Sequence, residues 1–388
     1  MSGESRITTN VYERILGRFV GASEGPAVFV MGGVHGNEPS GVEAARRVLA
    51  HLEEHATPFK GSLLALSGNL AALRMGKRFL TTDLNRMWEP SAVERLRGMD
   101  PALDSVEEGE QRELLGIIDG ELEQIEHTVV FLDLHSSSAA GSPFTVMNDT
   151  LQNRKIAFSL PCPVLIGLEE NVKGPLLEYV AGLGHVAVAV EGGGHDHPHT
   201  IERHETAIWL TLIAAGCIEA SDAPEISDQY REMKDSARGL PGVLEIVHRH
   251  GLVEGDGFQM EPGFMNFSAV SSGRVVAHDQ LGEIRIQQDG YLLLPLYQGQ
   301  GEDGFFMGRE VKRRWLRLST FCRVLRLDRL MRFLPGVSKH STKPEALLAD
   351  ERIVRWFAAE LFHLMGYKRC PNEGERMVFL RRPDRRAF

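Results

Sequence analysis

A chain of 388 residues exceeds the usual size of one domain, so two or three units are expected, each able to bury a core. Its apolar (43%) and charged (25%) fractions are those of a globular protein, and a formal charge of -10 argues against general affinity for nucleic acid or anionic surfaces, a local basic patch aside. Met1–Asn10 is polar and lacks the apolar run of a secretory signal, no stretch is long enough to span a bilayer, and Cys162, Cys217, Cys322 and Cys370 are scattered, a pattern that suits reduced thiols in a cytoplasmic protein.

The first two hundred residues alternate apolar runs with helical patterns, which predicts an α/β sheet flanked by helices, the catalytic domain over 1–220. Gly21-Ala22-Ser23-Glu24-Gly25 has the spacing of a serine-hydrolase elbow. Pro26 and another strand follow it where a helix is required, so a hairpin turn is the better explanation. Ala27–Met31 is a strand ending at Gly32-Gly33. A helix follows, with Pro39 in its first turn and Val42, Ala45, Val48, Leu49 and Leu52 at helical spacing. Ser62–Leu66 and Thr128–Leu134 read as strands, and Glu110–Ile125 as a helix. Val186–Val190, apolar on both faces, reads as a covered central strand, and Thr200–Ala215 as an amphipathic helix stopped by Gly216.

The polar stretch Ala220–Asp235 suggests a linker. Beyond it, short runs punctuated by Gly and Asp suggest a small β domain over 236–308, its clearest signal a hairpin of Glu283–Gln288 and Tyr291–Leu294 around Asp289-Gly290. Residues 309–388 read as a basic helical extension. Arg309–Leu334 interleaves arginines with Trp315, Leu318, Phe321, Leu325 and Leu330, and Glu351–Met365 is a second amphipathic helix. The apolar face of such a segment is expected to pack on the protein and expose the charges, contact with an anionic membrane surface being the alternative.

Two motifs follow strand patterns, His35-Gly36-Asn37-Glu38 and Asp133-Leu134-His135. Two imidazoles and one carboxylate are the ligand set of a catalytic zinc with an open fourth position. Two intervening residues at a strand-to-helix turn let His35 and Glu38 converge on one ion, small glycines let the backbone bend, and His135 completes the tripod from a separate strand end. Asp133 is placed to orient an imidazole. Singly, His-x-x-Glu occurs often by chance; the combination carries the argument. Glu191 ends an apolar strand before Gly192-Gly193-Gly194 and suits a proton shuttle between water and a leaving amine. In Asp83-Leu84-Asn85-Arg86, arginine can fork a carboxylate and asparagine offers a donor and an acceptor, while Arg78 can stabilise an oxyanion. In isolation, these arginines would read as surface ion-pair partners.

Taken together, Gly32-Gly33-Val34-His35-Gly36-Asn37-Glu38, Arg78 with Asp83-Leu84-Asn85-Arg86, Asp133-Leu134-His135 and Val190-Glu191 resemble the succinylglutamate desuccinylase/aspartoacylase family, a branch of the zinc carboxypeptidase-like hydrolases. The resemblance runs from about Val28 to Leu212, covers the β domain loosely and stops short of the C-terminal segment. It implies a zinc-carboxypeptidase-like mixed sheet and an amidohydrolase that removes the acyl group of an N-acyl amino acid. One Zn2+ per chain would be held by His35, Glu38 and His135, with Glu191 as general acid/base and Arg78 assisting the carbonyl oxygen. Asn85 and Arg86 would bind the substrate carboxylate, and Tyr297 is the positional candidate for a tyrosine that the family's β domain presents.

The chain departs from that pattern where aspartoacylase-like members place an arginine shortly before the catalytic glutamate. Ala181 stands there, which puts N-acetylaspartate in doubt as substrate. His195-Asp196-His197-Pro198-His199 reads as a polar loop, with substrate recognition or a second metal as alternatives. Two other functions compete: a zinc carboxypeptidase acting on peptide C-termini, and a non-catalytic membrane-associated binding protein using its basic tail. A small-molecule substrate and no nucleic acid are the expected partners, and a homodimer is consistent with the resemblance.

Overall fold

All nine residues of Val129–Ser137 are buried, because this strand lies inside an eleven-stranded mixed sheet covered on both faces. The computed structural model describes residues 12–253, 255–350, 358–374 and 376–384. The expectation for Met1–Asn10 and the first part of the helix expected over Glu351–Met365 lie outside the described residues.

In chain order the strands of the large sheet are β1 (Ile15–Val20), β2 (Ser23–Gly32), β3 (Lys60–Ser67), β4 (Val129–Ser137), β5 (Phe144–Met147), β6 (Val164–Ile166), β7 (Val186–Gly194) and β8 (Val243–Gly251). After β9 (Gln259–Met260), β10 (Ser268–Val270) returns to it; β11 (Val275–Asp279) and β12 (Gly282–Arg285) do not; β13 (Gly290–Leu293) and β14 (Asp303–Glu310) do. The sheet runs β1-β3-β2-β4-β7-β5-β6-β8-β14-β13-β10.

At its centre β2, β4 and β7 are parallel, with Gly32 opposite Leu134 and His135 opposite Glu191. Alternate residues face opposite layers. Val130, Leu132, Val188 and Val190 pack under the helices Ser40–His55 and Thr200–Ala215, while Phe131, Ala187 and Ala189 join Trp88, Leu114 and Leu176 on the other side. By this parity His135 and Glu191 both point to the second layer, at the carboxyl ends of the parallel strands, where open α/β sheets bind ligands.

Several expectations are corrected. The turn at Gly21–Gly25 does not close a hairpin, because β3 is inserted between β1 and β2. A Cβ on Gly21 would lie 2.1 Å from the Phe59 carbonyl oxygen, so close chain approach, and no nucleophile, explains the glycines. The polar stretch after Ala220 contains the helix Ser227–Ser236, held by the fully buried Met233 and by Arg203 donating to both oxygens of Glu232.

The hairpin expected around Asp289-Gly290 is not formed: β12 pairs with β11, whereas β13 pairs with β10 and β14. Asp289 instead accepts the Ser272 amide, and Ile286 exchanges backbone bonds with Gly273 and Arg274. Strands β8, β14, β13 and β10 extend the large sheet, and Leu244, Ile246, Leu293 and Phe306 share its core. Only β9, β11 and β12 make a separate small sheet.

The C-terminal segment is helical only in part. Arg313–Val324 and Ala358–Leu364 are helices, but Val337–Lys339 (β15), Ala346–Asp350 (β16), Tyr367–Glu373 (β17) and Arg376–Arg381 (β18) form an antiparallel sheet over Phe362 and Phe379. The first helix docks through Leu316, Ser319, Cys322 and Arg323, which recur at helical spacing, rather than through Trp315, Leu318 and Phe321. Arg323 is drawn inward by Asp149 (3.2 Å) and Asp384 (2.6 Å), which turns Trp315, Leu318, Phe321 and Leu325 to solvent.

His363 fastens the second helix to the large sheet and the turn after β6, between Glu245 (2.8 Å) and Glu170 (3.2 Å). Burial alone would lower its pKa, but the two carboxylates raise it to about 9. A folded pKa above the unfolded value of about 6.5 means that this contribution is complete below that pH and disappears as pH rises through 9. The expected size is about 3 kcal/mol. Urea unfolding of wild type and His363→Gln from pH 6 to pH 10 should show their stabilities converging; a constant difference would refute the ion pair.

Candidate active site

Gly33, with φ of +69°, and Gly36 shape the turn after β2. A Cβ on Gly36 would sit 2.0 Å from the Ala72 carbonyl carbon, so the loop reaches the sheet end only with glycine there. His35, Glu38 and His135 are all buried, and one ligand atom from each lies within 4.8 Å of the others, the only such group among the described residues. His35 Nδ1 is 2.9 Å from Glu38 Oε1, and His135 Nδ1 is 3.0 Å from Glu38 Oε2. The far nitrogens are held by carboxylates: Asp83 Oδ1 lies 3.1 Å from His35 Nε2, and Asp133 Oδ2 lies 2.9 Å from His135 Nε2. This outer pair aims both Nδ1 atoms inward, the arrangement that fixes imidazole tautomers around a metal.

The electrostatics follow from that packing. Burial pushes the Glu38 carboxyl up, yet His35 and His135 hold it well below the usual carboxylate range. Burial likewise opposes charge on His135, and Asp133 and Glu38 outweigh it, raising its pKa well above that of a free imidazole. Two imidazoles collected around one carboxylate suit a cation between them. The donor set therefore fits zinc, which takes nitrogen and oxygen ligands and leaves one position open.

Asp133 orients His135 as expected. Asp83 does the same for His35, which the sequence reading did not foresee, and it also anchors Arg78 through Nε (3.1 Å) and Nη2 (2.9 Å). Arg78 Nη1 is 3.6 Å from Glu38. Glu191, in the second half of β7, lines the same cavity, and its Oε2 is buried with no hydrogen-bond partner. Burial raises its carboxyl to about 7, His135 opposing and Glu38 adding to the rise.

Asn85 and Arg86 also line the cavity, but both are engaged. Asn85 Oδ1 accepts the Leu176 amide (2.9 Å), and Arg86 Nη2 donates to Asp303 (2.6 Å). Tyr297 is directed elsewhere: its hydroxyl donates to the Glu261 carbonyl and accepts the Phe264 amide, and it is absent from the cavity wall. His195 reaches Ser136 Oγ at 2.8 Å, next to the site, whereas the rings of His197 and His199 lie tilted against each other with centroids 5.7 Å apart. The segment Leu294–Asp303 roofs a cavity of about 140 Å³, and Val146, Leu168, Val172, Leu177 and Phe306 make up much of its wall.

Residues 24–202 match the sequence family described as the succinylglutamate desuccinylase/aspartoacylase catalytic domain. The match supports that family for this segment, a little under half of the chain. A succinylglutamate desuccinylase of Photorhabdus laumondii is 39% identical over 62 residues, 16% of this chain and 19% of that protein, so the match spans about a fifth of the curated relative. Solved structures of the family fold extend the likeness. The succinylglutamate desuccinylase of Vibrio cholerae superposes with a TM-score of 0.56 at 16% identity, over 76% of this chain and 85% of its own. Murine aminoacylase 3 gives 0.52 at 17%, over 74% and 96%. At such identities the family likeness concerns the mixed α/β fold. No helix among the described residues is long and apolar enough to cross a membrane.

Proposed function

We propose that the chain is a zinc-dependent amidohydrolase that releases a free amino acid from an N-acyl amino acid. The observation that carries this reading is the convergence of His35, Glu38 and His135 with Glu191 facing them from the adjacent strand. Zinc held there would supply a Lewis acid and lower the pKa of water to about 7. The rest falls to the protein. Glu191, with a partnerless oxygen and a carboxyl poised near neutrality, takes a proton from attacking water and returns it to the leaving nitrogen. Arg78, fixed by Asp83, donates to the carbonyl oxygen as it gains charge. Asn85 and Arg86 face the substrate from the remaining side.

Two features favour an uncharged acyl chain over succinate. Arg86 is already engaged by Asp303, and much of the cavity wall is apolar. A charged acyl terminus would have to displace Asp303 or lie unpaired against Val172 and Leu177, at the cost of an uncompensated buried charge. A screen of acetyl, hexanoyl and succinyl amino acids, with dipeptides as the carboxypeptidase control, tests this. Release of free amino acid that stops with chelator and is fastest for the aliphatic acyl groups is expected. Cleavage of peptides alone, or turnover that survives chelation, would overturn the proposal.

A further inference from the structure

The helix Arg313–Val324 presents to solvent the face that globular proteins ordinarily bury. Leu318, Phe321, Val324 and the following Leu325 are between 43% and 65% exposed, and they lie on one side of the helix with Arg314 and Arg317 among them. The next turn, Leu327–Phe333, repeats the composition: Leu330 is 59% and Phe333 70% exposed, beside exposed Arg326 and Arg329. Among the described residues none of Arg314, Arg317, Arg326 and Arg329 has an acidic partner. Between Val311 and Lys339 the single acidic residue, Asp328, is buried, 3.2 Å from Arg381. An apolar patch rimmed by unpaired cations marks an interaction surface.

We infer that this face lies on an anionic lipid surface, with Leu318, Phe321 and Leu325 inserted at the headgroup boundary and the arginines on lipid phosphates. Charge complementarity selects that occupant. A second copy of the chain would meet the patch with itself in a two-fold contact, setting arginine against arginine with no acid between them. A nucleic acid would satisfy the arginines but leave the aliphatic residues in water. A bilayer interface satisfies both, as basic amphipathic helices do. The formal charge of -10 repels the rest of the molecule from such a surface, so attachment is confined to this side.

Co-sedimentation of the full chain with phosphatidylcholine vesicles, and with vesicles containing about a third phosphatidylglycerol, tests the inference. Binding to the anionic vesicles only, weakening with salt, is expected. Arg314→Gln with Arg317→Gln should reduce partition on the order of thirty-fold, and Leu318→Ser with Phe321→Ser at least as strongly. Both pairs are solvent-facing and outside the cavity, so hydrolysis of a soluble substrate reports that they fold. Equal partition to both vesicle types, or partition unmoved by either pair, would overturn the inference. So would sedimentation velocity showing a dimer that Phe321→Ser dissociates, or duplex DNA binding in place of vesicles.

Discussion

Glu191→Gln is expected to keep its zinc and lose turnover by roughly 10²–10⁴-fold, the range of general acid-base contributions. Glutamine has the same shape, and Glu191 is not among the three groups that surround the candidate metal position, so metal content should equal that of wild type. The amide cannot accept a proton from water. Because burial holds the Glu191 carboxyl near 7, the wild-type rate should rise with pH through that value. Metal analysis with pH-rate profiles on both proteins checks this; a variant of undiminished rate would remove Glu191 from the mechanism.

Asp83→Ala should be the most damaging substitution outside the tripod. Asp83 is buried, and although burial opposes its charge, His35 and Arg78 hold its carboxyl well below the ordinary range. Without it His35 loses the acceptor that fixes its ring, which typically lowers metal affinity about 10–100-fold. Arg78 keeps only the longer 3.6 Å pair with Glu38, and removing one partner of a buried ion pair costs about 3 kcal/mol or more. Asp133→Ala is the comparison: it frees His135 but strands no arginine, so zinc affinity should fall with a smaller loss of stability. Zinc titration and urea unfolding of the two variants separate these effects. Equal destabilisation would mean that Arg78 does not depend on Asp83.

What was legible in the chain was local. His35 and Glu38 are three residues apart, Asp133 and His135 two, and strand parity places His135 and Glu191 on one face without further information. The contacts that the sequence does not show involve partners distant in it. The hold of Asp83 on His35 spans 48 residues, and no local pattern announces it. Arg86 offered itself as a free fork, yet Asp303, 217 residues on, takes it. The orientation of the C-terminal helix was inverted for the same reason: an amphipathic pattern names the apolar side, but buried ion pairs of Arg323 decided which side docks. The short strands after Val337 carry too few alternating residues to be told from loop.

The continuity of the large sheet bears on how substrates come and go. Strands flanking the cavity's cover are laddered, through β8, β6 and β5, to those bearing the chemistry, so swinging the cover away as a rigid flap would tear main-chain bonds along a whole edge. Any widening of the entrance is then confined to the short span between β13 and β14. Its length and stiffness, more than any reorientation of two lobes, then govern which molecules gain admission and how fast products depart.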